Sequence, residues 1–99
     1  MLNILRSEKA LGLRMTCVRS SSLVCASSKT YLFTVSEECM GKIEEWLGKN
    51  GRITARYGPL VKGLYQDAIV TLLKPDKIQL ILQFSKLTAE DFEKILNSL

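Results

Sequence analysis

Histidine is missing from all 99 residues of this chain, and with it the side chain that most often acts as a general base near neutral pH. The three cysteines, Cys17, Cys25 and Cys39, have no C-x-x-C spacing. A tetrahedral zinc site therefore lacks ligands, and no metal or cofactor is expected. The cysteines read as small core residues in a reducing cytosol. The alternative is a cross-strand Cys17–Cys25 disulfide, formed if a hairpin turns through Ser20-Ser21-Ser22. No G-x-G-x-x-G, Walker loop or G-x-S-x-G is present. The pairs Glu37-Glu38 and Glu44-Glu45 are explained by a helix dipole and solvation. A Cys39 nucleophile has nothing to activate it beyond its place near a helix start. An enzyme is not expected.

Long apolar runs are missing too. A membrane-spanning helix needs roughly twenty apolar residues, whereas Ile78 to Phe84 is already broken by Gln79 and Gln83. No membrane association is expected. Met1-Leu2-Asn3-Ile4-Leu5-Arg6 meets charge too early for a secretory signal. Residues 1–34 hold five bases, one acid and six serines, a composition that also suits an organellar transit peptide over residues 1–28. Against that, Leu11, Leu13, Met15 and Cys17 alternate with Gly12, Arg14 and Thr16, as in a half-buried strand running from Leu11 to Val18. The expectation is a cytoplasmic single domain over residues 1–99, with residues 1–10 as a mobile or packing arm.

What the chain does contain is ordinary globular material, 46% hydrophobic and 24% charged. Thr88 precedes a stripe of Phe92, Ile95, Leu96 and Leu99, with Asp91 in the first turn and Leu87 opposite Phe92 as a staple. Ser36 opens a second helix with Glu37 and Glu38 at its positive end, and with Cys39, Met40, Ile43, Trp46 and Leu47 on its buried side. Gly48 to Gly51 end it. Extended segments are expected at 29–35, 52–57, 68–73 and 78–84, the last two joined by a turn at Lys74-Pro75-Asp76-Lys77. Gly58-Pro59 breaks the pattern, so Tyr57 to Gln66 reads as a loop suited to recognition. The fold class is α+β, two-layer, with a mainly antiparallel sheet of about five strands and two helices on one face, in the order β-β-α-β-β-β-α.

A turn centred on Pro75-Asp76 sets Leu73 opposite Ile78, Thr71 opposite Leu80 and Ile69 opposite Leu82, and puts these under the helices. Val70, Leu72 and Ile81 then fall on the other face among Lys74, Lys77, Gln79 and Gln83. That face is more apolar than one meeting plain water.

The net charge of +4 is unevenly spread. Residues 1–34 carry net +4, residues 37–48 net −3 (one base, four acids), residues 49–77 net +4 (six bases, two acids) and residues 86–94 net −1 (two bases, three acids). The helices are acidic, and the bases are expected on the sheet face remote from them. Arg14, Arg52, Thr54, Arg56, Tyr57, Lys62, Lys74 and Lys77 are the candidate nucleic-acid-binding residues: cations for phosphates, Tyr57 for stacking. The function this suggests is a small basic nucleic-acid-binding accessory protein using a positive sheet face and the 57–66 loop. The alternative is a homodimeric protein-interaction module, an adaptor or inhibitor, docking through Val70, Leu72 and Ile81.

Overall fold

Hydroxyl caps and glycine breaks divide the described chain, residues 16–99 of a computed structural model, into six strands and two helices. In order they are β1 (Val18–Cys25), β2 (Thr30–Val35), α1 (Glu37–Asn50), β3 (Arg52–Tyr57), β4 (Leu60–Tyr65), β5 (Ala68–Leu73), β6 (Lys77–Ile81) and α2 (Ala89–Asn97). The strands form one sheet in the order β1-β2-β6-β5-β4-β3, with every neighbouring pair antiparallel. The α+β class and the antiparallel sheet are as the sequence suggests, but the described residues alone hold six strands rather than about five.

Two corrections explain the count. Residues 57–66 are not a loop: Tyr57 faces Leu60 across a tight Gly58-Pro59 connection, and Leu60–Tyr65 is a full strand between β3 and β5. Gly58 supplies the positive φ of 58° that this connection needs. Likewise Ser20-Ser21-Ser22 is no turn, since all three lie within β1 and pair with β2. The expected Leu11–Val18 strand falls outside the described residues up to Met15, as does the 1–10 arm.

One face of the sheet meets the helices. Phe33, Ile78, Leu72 and Val61 are cross-strand neighbours, and the adjoining row is Tyr31, Leu80, Val70 and Gly63. Cross-strand partners share a face, so both rows lie together. Phe92 of α2 sits edge-on to Phe33 at 5.5 Å, and Trp46 of α1 lies 6.1 Å from Phe92. Gly63 is required where α1 lands: a Cβ there would come within 2.8 Å of Leu47 Cδ2 and 2.6 Å of the Arg52 carbonyl. Phe33, Ile43, Leu47, Val70, Leu72, Ile78, Leu80, Phe92 and Leu96 are fully buried in this core.

The β5–β6 register corrects the sequence reading. Leu73 faces Lys77 across a three-residue connection, Lys74-Pro75-Asp76, which is one residue shorter than expected. A one-residue slip exchanges the two faces of a strand. Val70 and Leu72 therefore lie in the core, both 0% exposed, and are not available as an interface. Ile69, Thr71 and Leu73 take the opposite face, while Ile81 stays on the face where it was expected. Phe84, at the end of the segment expected to be extended, lies beyond β6 and is 78% exposed.

The caps differ in kind. Thr88 Oγ1 accepts the Asp91 N–H at 3.0 Å, as its position before the apolar stripe predicts. Ser36 occupies the α1 cap position without a side-chain cap bond, and its hydroxyl donates to the Glu38 carboxylate instead. That hydrogen bond holds Glu38 below the usual carboxylate range.

Cys17 and Cys39 form a disulfide between the start of β1 and the first turn of α1, and Cys25 is free and exposed. This corrects both cysteine readings. Cys17 and Cys25 bracket β1 at opposite ends, too far apart to bond, whereas the Cys17 and Cys39 Cα atoms stand 5.8 Å apart. The Ser36 N–H also donates to the Cys17 carbonyl at 2.8 Å, and the Val18 N–H to Asn97 Oδ1 at 2.8 Å, so this corner joins β1 to both helices. A transit segment ending at residue 28 would carry away both β1 and Cys17. No helix among the described residues is long and apolar enough to cross a membrane.

The bond closes a loop with a sequence separation of 22. Restricting the unfolded chain in this way stabilises the fold by about 3 kcal/mol. Urea unfolding should therefore show a lower midpoint for the wild type in reductant, and no effect of reductant on Cys17→Ala/Cys39→Ala. A midpoint indifferent to reductant in both proteins would show that the bond does not form in solution.

Candidate functional site

Two helices cover the inner face of the sheet, and the outer face has no helix upon it among the described residues. Its side chains follow from the register. One row across the strands is Thr30, Ile81, Ile69, Leu64 and Arg52. The next is Ser22, Leu32, Gln79, Thr71, Lys62 and Ala55. The third is Ser20, Thr34, Lys77, Leu73, Leu60 and Tyr57. Aliphatic side chains thus form two rows over the central strands, Ile81-Ile69-Leu64 and Leu73-Leu60, on either side of a mostly polar row. Each of the five is half-buried by its neighbours. Tyr57, at the end of the third row, is 70% exposed.

Charge on this face has one sign. No strand contains an aspartate or glutamate, and the carboxylates of residues 16–99 all lie in α1, α2 or the turns at Asp67 and Asp76. Arg52, Lys62 and Lys77 project from the outer face. Lys77 Nζ is 3.2 Å from Asp76 Oδ1 at the sheet end.

The candidate nucleic-acid residues do not all meet. Arg52, Tyr57, Lys62 and Lys77 share the outer face. Arg56 lies on the helix side, opposite Val61, because a register shift between Ile53 and Ala55 exchanges the faces along β3. Its Nε is 3.3 Å from Glu44 Oε2, and Lys74 Nζ is 2.7 Å from Glu44 Oε1. Thr54 sits at the irregularity, where its hydroxyl donates to the Lys62 carbonyl at 3.1 Å. Arg14 lies outside the described residues. The interface candidates likewise divide: Ile81 is on the outer face, Val70 and Leu72 beneath the helices.

Sequence reasoning missed Leu60, Leu64, Ile69 and Leu73 as surface residues, and gave Glu44 no role beyond solvation. Its position one residue after buried Ile43 puts Glu44 at the flank of α1, within reach of the sheet. The Lys74 ammonium hydrogen bond, then the Arg56 guanidinium, hold the Glu44 carboxyl below its ordinary 4.5 against the opposing effect of partial burial.

Away from this face, Cys25 ends β1 in the turn to β2. Its sulfur lies 3.3 Å from the Ser27 hydroxyl. Hydrogen bonds from Ser27, then Ser28, lower the thiol to about 7. Among the described residues no group of cysteine, aspartate and glutamate side chains is arranged to hold a metal ion.

A folded pKa below the unfolded value means that the Glu44 contribution to stability is complete above about pH 4.5 and fades as pH falls toward the folded value. Glu44→Gln should therefore unfold at lower urea than the wild type at pH 7, and the two midpoints should converge under acid. A gap that stays constant from pH 7 to pH 3 would remove the ion pairs as its cause. Comparison with family models, with curated proteins and with solved structures finds no match to this chain.

Proposed function

We propose that the chain is a docking module that binds a partner protein through the outer face of its sheet, acting by contact rather than by catalysis. The observation that supports this most is the open face itself, with Ile81, Ile69 and Leu64 in one row, Leu73 and Leu60 in another, and cations beside them. A sheet face turned to plain water is normally polar, and a contiguous apolar patch marks a contact surface. Its two aliphatic rows offer dry contact, and the polar row between them, with the cations, offers hydrogen-bonding groups. A foreign partner suits it better than a second copy. Stacking two of these faces about a twofold axis sets a surface bearing Arg52, Lys62 and Lys77 against its like, with no carboxylate on either strand layer. An oxidising compartment suits the Cys17–Cys39 bond better than the cytosol, where thiol pools keep such bonds reduced.

A photo-crosslinking residue introduced at Ile69 in the native host should yield discrete adducts with another protein, and one at Glu45, on the outside of α1, should yield none. Equal labelling from both positions removes the docking face. An adduct of twice the chain mass turns the reading to a homodimer.

A second reading, nucleic-acid binding, is favoured by the exposed Tyr57 ring on the same face as Arg52, Lys62 and Lys77. An aromatic platform flanked by cations is how sheet faces take single strands. Arg56 and Lys74 weaken this reading, because Glu44 already neutralises them. If nucleic acid is the ligand, a mixed-sequence oligonucleotide binds at ~50 mM salt with a strong salt dependence, and Lys62→Glu abolishes binding. Failure to bind at that salt ends the second reading.

A further inference from the structure

Resting on the docking reading above, we infer that the partner element is an acidic amphipathic helix laid across the strands between the two aliphatic rows. The inner face supplies the pattern. There α1 sets Ile43 and Leu47 on the sheet while Glu44, beside Ile43, reaches Arg56 and Lys74. The outer face offers the same two components, aliphatic rows and cations, with no helix upon them among the described residues.

The dimensions agree. Ile69 and Leu73 stand four residues apart on β5, about 13 Å along the strand, and a helix with its side chains is about 10–12 Å across. The channel between the rows is floored by Thr71, a short side chain 8% exposed, with Gln79 and Lys62 beside it. From β2 to β3 the sheet extends for four strand spacings, about 19 Å, the length of a helix of about thirteen residues. Lys77 lies in one flanking row, Arg52 at the end of the other and Lys62 in the floor near β3, so carboxylates at both flanks of a helix would meet a cation. A strand is a poorer occupant, because extended segments add to sheet edges through backbone hydrogen bonds, whereas an apolar face receives a helical stripe.

The test uses three cross-linked helical peptides of about fourteen residues, sharing one leucine stripe and flanked by glutamate, glutamine or lysine. Fluorescence anisotropy should show the glutamate peptide binding about tenfold more tightly than the glutamine one at ~50 mM salt, and the lysine peptide not at all. The advantage should shrink at ~0.5 M salt, where surface charges are screened. Lys62→Glu/Lys77→Glu should reverse the order of the charged peptides, and Ile69→Asp should remove binding while leaving the circular dichroism unchanged. Equal affinity for all three, or binding by none, overturns the acidic helix and leaves the docking face to its crosslinking result. Glutamate-peptide binding that survives both Ile69→Asp and the charge reversal overturns the docking face as well. An oligonucleotide that displaces the glutamate peptide in competition assigns the face to nucleic acid.

Discussion

Which aliphatic residues of β5 lie under the helices is decided by the three-residue connection that joins it to β6, and the rest of the molecule follows from that choice. With Leu73 opposite Lys77, the alternation sends Ala68, Val70 and Leu72 inward, where they complete a core with Phe33, Leu80, Ile43 and Phe92. The same alternation turns Ile69 and Leu73 outward. A sheet with aliphatics on both faces, but helices on only one, retains apolar surface that its own described elements do not cover. The half-buried row Ile81-Ile69-Leu64 is therefore a property of the register and not of any single residue.

Charge reinforces the difference between the faces. The carboxylates of α1 and α2 lie on the helical layer, and the strands carry only cations, so the molecule is electrostatically two-sided. Glu44 is where the two sides touch. It draws Arg56 and Lys74 toward α1 and leaves Arg52, Lys62 and Lys77 as the cations of the outer face. A salt bridge of this exposure contributes little to stability. Its larger effect is to decide which positive groups stand on the outer face.

Both helices were readable because their signals are local: a hydroxyl cap, acids in the first turn and an aliphatic stripe all fall within about a dozen residues of sequence. Thr88 is the clear case. β3 was readable as a strand from its alternation, and β2, β5 and most of β6 as short apolar runs bounded by helix caps or turn residues. β4 was not, because Gly58-Pro59 and Gly63 look like breaks, whereas Gly63 is imposed by Leu47, sixteen positions earlier in the chain. Serine-rich β1 showed no apolar alternation for a similar reason: as an edge strand it has exposed side chains from Arg19 to Cys25 and gains its place from pairing with β2. The outer face was legible as semi-apolar and basic, but its residues were misnamed by one position on β5, an error no local signal corrects. The Cys17–Cys39 pairing and the role of Glu44 depend on contacts between elements, which a linear reading does not contain.

The corner where Cys17 meets Cys39 has a mechanical consequence. Among the described residues β1 borders the sheet and hydrogen-bonds to a strand on one side only, the kind of element that peels first when a chain is pulled. Tension entering from the amino end, however, reaches the sulfur–sulfur link to α1 before it reaches any β1–β2 hydrogen bond. The border strand is thus shielded from traction on that side.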